Sequence, residues 1–209
     1  PSSPTNGDIW TTTAGIYVRI NGATVGPLGT GGGGGGLTYF TESENTSSPN
    51  NTVNANRLIA VSSATNADFV MSPKGTGALL AHLPDSSTTG GNKRGVQATD
   101  WQRERGNANQ VASGARSTVS GGGYNRATAD YSTVAGGFTN HAQGLLSGVL
   151  GGTSNTASGD YSVVLGGSGN TASGNYSVAV GLNSIAAQHS FAQGDNVTAG
   201  GTYSSAFGS

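Results

Sequence analysis

The sequence predicts an all-β chain: an N-terminal β-hairpin or meander module, then a repetitive β-solenoid (β-roll) of ~15-residue coils. Three observations carry this. Ser117, Ser132, Ser147, Ser162 and Ser177 recur every 15 residues, and Ala112, Ala127, Ala142, Ala157 and Ala172 keep the same step. So do the glycine pairs Gly121-Gly122, Gly136-Gly137, Gly151-Gly152 and Gly166-Gly167. A fixed period means stacked units, and one this short fits one or two strands and two turns but no helix–turn–helix. The second observation is composition: 209 residues hold 37 glycines, 33% hydrophobic and 9% charged residues, with net charge −1. Disordered chains pair low hydrophobicity with high charge; a bulk of Ser, Thr, Asn and Gly with little charge suits a repetitive β fibre. The third is alternation of period two inside each repeat, the mark of a strand with two faces.

Residues 1–29 read as the first module. Ile9–Thr13 and Ile16–Ile20 are strands around an Ala14-Gly15 turn, and Asn21-Gly22 is a hairpin dipeptide leading into Ala23–Val25. Such a meander is marginal alone and needs partner chains. Residues 30–36 are a glycine-rich linker; the tract lacks the Lys-Ser/Thr and strand–turn–helix setting of a phosphate loop. Residues 37–91 form a second β segment, with strands at Arg57–Val61, Asp68–Met71 and Ala78–Leu83.

Residues 92–107 are a charged connector. Lys93, Arg94, Asp100, Arg103, Glu104 and Arg105 lie within 13 positions. Thr99 or Asp100 caps a short helix at Trp101–Arg105, ended by Gly106. The charges read as inter-chain ion pairs, and Trp101 as a cap plugging the open end of the roll.

Residues 108–209 are the roll. In the unit from Asn155 to Gly167, Tyr161–Leu165 reads as the strand. Gly166-Gly167 is one turn, and Asn155 with Ser158-Gly159 marks a second corner. One strand face is nearly constant: Ser117/Val119, Ser132/Val134, Ser147/Val149, Ser162/Val164 and Ser177/Ala179. It points into a narrow interior as the structural core of the repeat. The other face varies: Arg116/Thr118, Tyr131/Thr133, Leu146/Gly148, Tyr161/Val163, Tyr176/Val178. It points to solvent or to another chain. A roll packed with Ser and Ala buries little apolar area, worth roughly 25 cal/mol per Å², against about 1–2 kcal/mol of backbone entropy per ordered residue. The chain is therefore expected to associate with itself. A monomeric solenoid with scattered exposed aromatics is the alternative.

Much chemistry is missing. No basic excess points to nucleic acid, no apolar run reaches ~20 residues for membrane insertion, and no cysteine is present. His82, His141 and His189 lack metal-ligand spacing, so neither a metal nor a cofactor is expected, and no catalytic residue is assigned. Asp130 and Asp160 share a coil position two coils apart, roughly 10 Å from two ~4.8 Å steps. That is the upper end of inverting-glycosidase spacing, but the corner has no device to raise one pKa, so they read as structural. The chain begins Pro1-Ser2-Ser3 without Met, and is expected to be a fragment or processed piece.

Gly7-Asp8-Ile9-Trp10 with Ile20-Asn21-Gly22 is similar to a module recurring in bacteriophage tail fibres. Ser72–Ala78, Gly90–Gly95, Asp100-Trp101-Gln102 and Gln110–Gly114 resemble segments that run in that order in phage fibres and related virion proteins. The Asn-Thr-Ala-Ser-Gly-x-Tyr-Ser-x-Val-x-Gly-Gly coils resemble both those fibres and the head repeats of trimeric autotransporter adhesins. The resemblance implies a non-enzymatic homotrimer in an extracellular virion tail fibre, a stiff spacer that reaches a host surface. If they face outward, Tyr131, Tyr161, Tyr176 and Tyr203 are the candidates for contacting a host-surface glycan or protein. An adhesin head at a bacterial cell surface is the alternative, and a polysaccharide-depolymerising tailspike the third reading.

Overall fold

The computed structural model describes residues 3–12, 15–28, 40–45, 55–60, 66 and 70–208. The chain divides into two units, Pro1–Val70 and Met71–Ser209.

In the first unit, β1 (Ile9–Thr12), β2 (Gly15–Ile20) and β3 (Ala23–Leu28) form an antiparallel meander. Asn21 and Gly22, at φ 50° and 77°, make the tight turn that matches the twist of β2 and β3. Trp10 pairs with Tyr17 across β1 and β2, their rings stacked at 5.8 Å. Ile9, Ile16, Ile20 and Val25 stay exposed; among the described residues nothing covers them, and such a small sheet is marginal alone. β4 (Phe40–Asn45) and β5 (Ala55–Ala60) form a separate antiparallel pair. The glycine linker, Thr13, Ala14, Val61, Asp68 and Phe69 lie outside the described residues.

The second unit is the solenoid. Its strands in chain order are β6 (Leu79–Leu80), β7 (Thr99–Asp100), β8 (Thr118–Val119), β9 (Arg126–Ala127), β10 (Thr133–Val134), β11 (His141–Ala142), β12 (Gly148–Val149), β13 (Thr156–Ala157), β14 (Val163–Ser168), β15 (Thr171–Ala172), β16 (Val178–Leu182), β17 (Ile185–Ala186), β18 (Phe191–Asp195), β19 (Thr198–Ala199) and β20 (Ser205–Phe207). From β8 onward successive strands alternate between two parallel sheets. The even-numbered strands with β7 form one sheet of nine, and β9 to β19 by odd numbers form one of six. Register is coil on coil: Val134 beside Val149, Ala142 beside Ala157. The 15-residue step shortens to 14 from Thr171 to Ile185 and to 13 from Val178 to Phe191.

The interior is narrow. Ser117, Val119, Ser132, Val134, Ser162, Val164, Ser177 and Ala179 are fully buried, with Ser147 and Val149 at most 2% exposed. Ala127, Ala142, Ala157 and Ala172 of the second sheet, and Ala112 bridged to Ala127, pack in the same core. A third inner column is Asn125, Asn140, Asn155 and Asn170, all buried. Asn155 Nδ2 donates to the carbonyls of Gly151 and Gly167, while its Oδ1 accepts the Asn170 N–H. Amides in water would do the same; here each rung satisfies the next, so burial costs little. In the pairs Gly136-Gly137 and Gly151-Gly152, the second glycine is the required one. Gly152 sits at φ 85°, and a Cβ there would strike the Gly167 carbonyl, whereas Gly136 and Gly151 have open space.

Several expectations give way. Ala78–Leu83 contributes only Leu79–Leu80, paired in parallel with β7, and Val70 and Met71 are in no strand. The roll therefore begins upstream of residue 108. Its first two steps, Leu80 to Asp100 and Asp100 to Val119, are longer than 15 residues and hide the period. No helix forms at Trp101–Arg105, and none is long and apolar enough to cross a membrane among the described residues; Glu104 instead bridges to Gly123. Tyr161 is not in a strand, because its φ of 57° is left-handed; the strand starts at Val163. Gly166-Gly167 lies inside β14, at a register shift after Val164 rather than in a turn.

Candidate functional site

The first complete coil holds the charged cluster. Asp100 is in register with Val119, so a carboxylate occupies an inner position that is apolar in the later coils. It is fully buried. Arg94 Nε donates to Asp100 Oδ2 at 2.7 Å and Arg105 Nη2 to the same oxygen at 3.2 Å, while the Gln102 N–H donates to Oδ1. Arg105 also caps the carbonyls of Gln102, Gln110 and Thr89. Gln102 is the first rung of the asparagine column. Its Oε1 accepts the Asn125 N–H, and its Nε2 donates to the carbonyls of Gln110 and Asn125. The two ion pairs formed among the described residues, Arg94–Asp100 and Arg105–Asp100, are within the chain, because a coil whose inner position is Asp needs internal cations. Trp101 follows β7, which is flanked by β6 and β8, and is 42% exposed on the outside; it does not lie over the end of the stack.

Arg94 is the strained member. Burial pushes its guanidinium below the usual arginine value, opposed by Asp100, and Nη2 has no hydrogen-bond partner among the described residues. Arg94 lines a groove of about 610 Å³ with Lys93, Leu80, Pro84, Val96 and Ala115.

Tyr131, Tyr161, Tyr176 and Tyr203 do face outward, from 45% to 78% exposed. They belong to one corner column with Arg116, Leu146 and His189, all at φ between 53° and 60°. The left-handed turn aims each N–H at the preceding coil: Tyr176 N–H reaches the Asp160 carbonyl at 2.9 Å. Tyr161 stacks on Tyr176 at 4.9 Å with 1° between planes, Tyr176 on His189 at 5.1 Å, and His189 lies 4.7 Å from Tyr203. Arg116 covers Tyr131 at 5.3 Å and donates to its hydroxyl. From Tyr161 to Tyr203 the facing sides of the rings are thus occupied by one another, which leaves edges, hydroxyls and the outer face of Tyr203, 78% exposed at the end of the column, for any ligand.

The two outer sheet faces differ in kind. Over the nine-stranded sheet, Leu150, Val163, Leu165, Val178, Val180, Phe191 and Phe207 stand outward, and from Thr118 to Phe207 the outward strand positions carry one charge, Asp195 at the end of β18. Leu150, Leu165 and Phe207 are 55%, 47% and 70% exposed. Over the six-stranded sheet the outward positions are mostly polar: Arg126, Thr128, His141, Gln143, Thr156, Ser158, Thr171 and Ser173.

The titratable groups elsewhere are engaged locally. Asp130 Oδ1 accepts the Ala115 N–H and Asp160 Oδ1 the Leu145 N–H, each tying one coil to the one before. His82 contacts the Thr89 carbonyl and Arg103. His141 lies against Thr128 and Gln143, and burial, with Arg126 nearby, lowers its pKa to about 4. Among the described residues no cluster of His, Cys, Asp or Glu could hold a metal. Sequence reasoning missed the asparagine column, although its 15-residue step was there to be read, and the Arg94–Asp100–Arg105 triad, whose loops are irregular in length. Comparison with models of known protein families and with curated proteins finds no match.

Proposed function

We propose that this chain is a structural, non-enzymatic segment of a homotrimeric fibre of the phage tail-fibre type, a stiff extracellular spacer that contributes to attachment at a host surface. The observation that carries it is the outer face of the nine-stranded sheet from Leu150 to Phe207, mostly apolar and with one charge, Asp195, at the end of a strand. Such a face, several coils long, is an association surface. Its side chains repeat at the ~4.8 Å pitch of parallel strands, so a partner must share that axial period to match every coil. A second copy, parallel and unshifted, does so by construction. A closed ring of copies then leaves the polar face of the six-stranded sheet toward solvent. Three copies follow from the resemblance of the coils to trimeric fibres. Stacked two-sheet coils held by backbone ladders and an internal amide column resist bending, which suits a spacer.

Light scattering on the purified protein tests this: the expected mass is three times the 20.6 kDa of one chain. A mass of one chain at micromolar concentration rejects it. Incubation with host capsular polysaccharide, followed by sizing of the polysaccharide, is expected to show no shortening; shortened chains would replace the fibre reading with a depolymerase.

A further inference from the structure

We infer that the groove beside the first coil is a binding site for a carboxylate-bearing sugar, with Lys93 at its edge and Arg94 in its wall. Three features converge there. The volume of about 610 Å³ is that of a small-molecule site. The walls combine apolar surface from Leu80, Pro84, Val96 and Ala115 with a cationic pair from Lys93 and Arg94, the mixture that a sugar acid presents in complement: a ring with C–H faces and one anionic group. Third, the local charges do not balance. Buried Arg94 and Arg105 share one buried carboxylate, that of Asp100. The next carboxylate, Asp85, is exposed and already accepts the N–H groups of Ser87 and Gly90. Exposed Lys93 adds a further cation. An orphaned buried donor, Arg94 Nη2, is costly where it stands, and an anion in the groove offsets it electrostatically without entering the roll.

The same carboxylate chemistry has a second source, an acidic side chain of another copy of this chain, and the experiment separates the two. The site deepens the attachment role proposed above and rests on it for its biological meaning, but binding is measured on the protein in whatever oligomeric state it adopts. Glucuronate and glucose are titrated into the purified chain, with calorimetry and amide shifts at Gly95, Val96 and Ser113 as readouts. Saturable glucuronate binding that weakens with salt is expected, with no response to glucose. Lys93→Glu is expected to weaken it about tenfold, the loss of one charge-assisted hydrogen bond, and Ala115→Trp to abolish it by filling the groove. Thermal unfolding of both variants is expected to match the parent, which excludes misfolding as the cause. No glucuronate binding, or equal binding of glucose, overturns the inference. So does a fall in molar mass on adding glucuronate or introducing Lys93→Glu, which assigns the groove to a second copy. A monomer that binds glucuronate rejects the fibre and keeps the groove.

Discussion

Asn155 accepts the backbone N–H of Asn170 through Oδ1 at 3.0 Å, one coil further on, while its own N–H donates to Asn140 Oδ1 at 3.0 Å. The roll is therefore tied along its axis by side-chain amides as well as by backbone ladders. Asn155→Ala removes four hydrogen bonds and strands the Asn170 N–H inside the roll. The expected cost is about 3 kcal/mol, a fall in Tm of roughly 6–12 °C for a domain of this size. Unchanged unfolding by circular dichroism would show that the column is incidental.

How much of this was legible depended on regularity. The inward Ser/Val and Ala columns could be read because only small side chains recur at their positions, and recurrence is what burial leaves in a repeat. Asn155 recurred as strictly, yet Asn also makes corners, so the residue type pointed to a turn and hid an interior role. Tyr161 was misplaced for the opposite reason: alternation carried it into the strand, and nothing about tyrosine announces φ > 0. The first coils were opaque because their loops vary in length, so Asp100 had no visible register with Val119.

Asp100 holds two buried guanidinium groups. Asp100→Asn keeps the shape and removes the charge, leaving both cations uncompensated. A loss of about 3–5 kcal/mol is expected, larger than that of Asn155→Ala, and is read from urea unfolding. A loss under ~1 kcal/mol would mean that solvent already screens the cluster.

Tyr176 sets backbone strain against stacking. At φ 56° a tyrosine is disfavoured where asparagine is tolerated, but its ring lies between Tyr161 and His189. Tyr176→Asn exchanges stacking for relief of strain, and a net change within ~1 kcal/mol is expected. Tyr176→Ala loses the stacking and keeps the strain, so it is expected to cost more. The reverse order of the two unfolding midpoints would show that the column is held by something other than its rings.

His141 gives the roll a pH dependence. Its folded pKa of about 4 lies below the ordinary 6.5, so the folded protein favours the neutral ring and the unfolded chain binds the proton first. Stability is complete above pH ~6.5, falls as pH drops from there toward 4, and levels off below. Partial exposure of the ring reduces the effect to the order of 1 kcal/mol. His141→Gln is expected to flatten the slope of unfolding free energy between pH 7 and 4.5, and an unaltered slope would assign it to other groups.

The proposed association face makes the most direct demand. Leu150 is 55% exposed on the outer side of the nine-stranded sheet, and Thr156 stands on the outer side of the other. An Asp at position 150 places a charge in each copy at the same axial level, so in a closed parallel ring the carboxylates meet one another as well as an apolar surface. Leu150→Asp is expected to drop the molar mass to that of one chain, with the far-ultraviolet spectrum kept because no inner position changes. Thr156→Asp, on the polar face, is expected to leave the mass as it was. If Thr156→Asp dissociates the protein and Leu150→Asp does not, the copies meet through the six-stranded sheet, and the apolar face must be covered by something other than this chain.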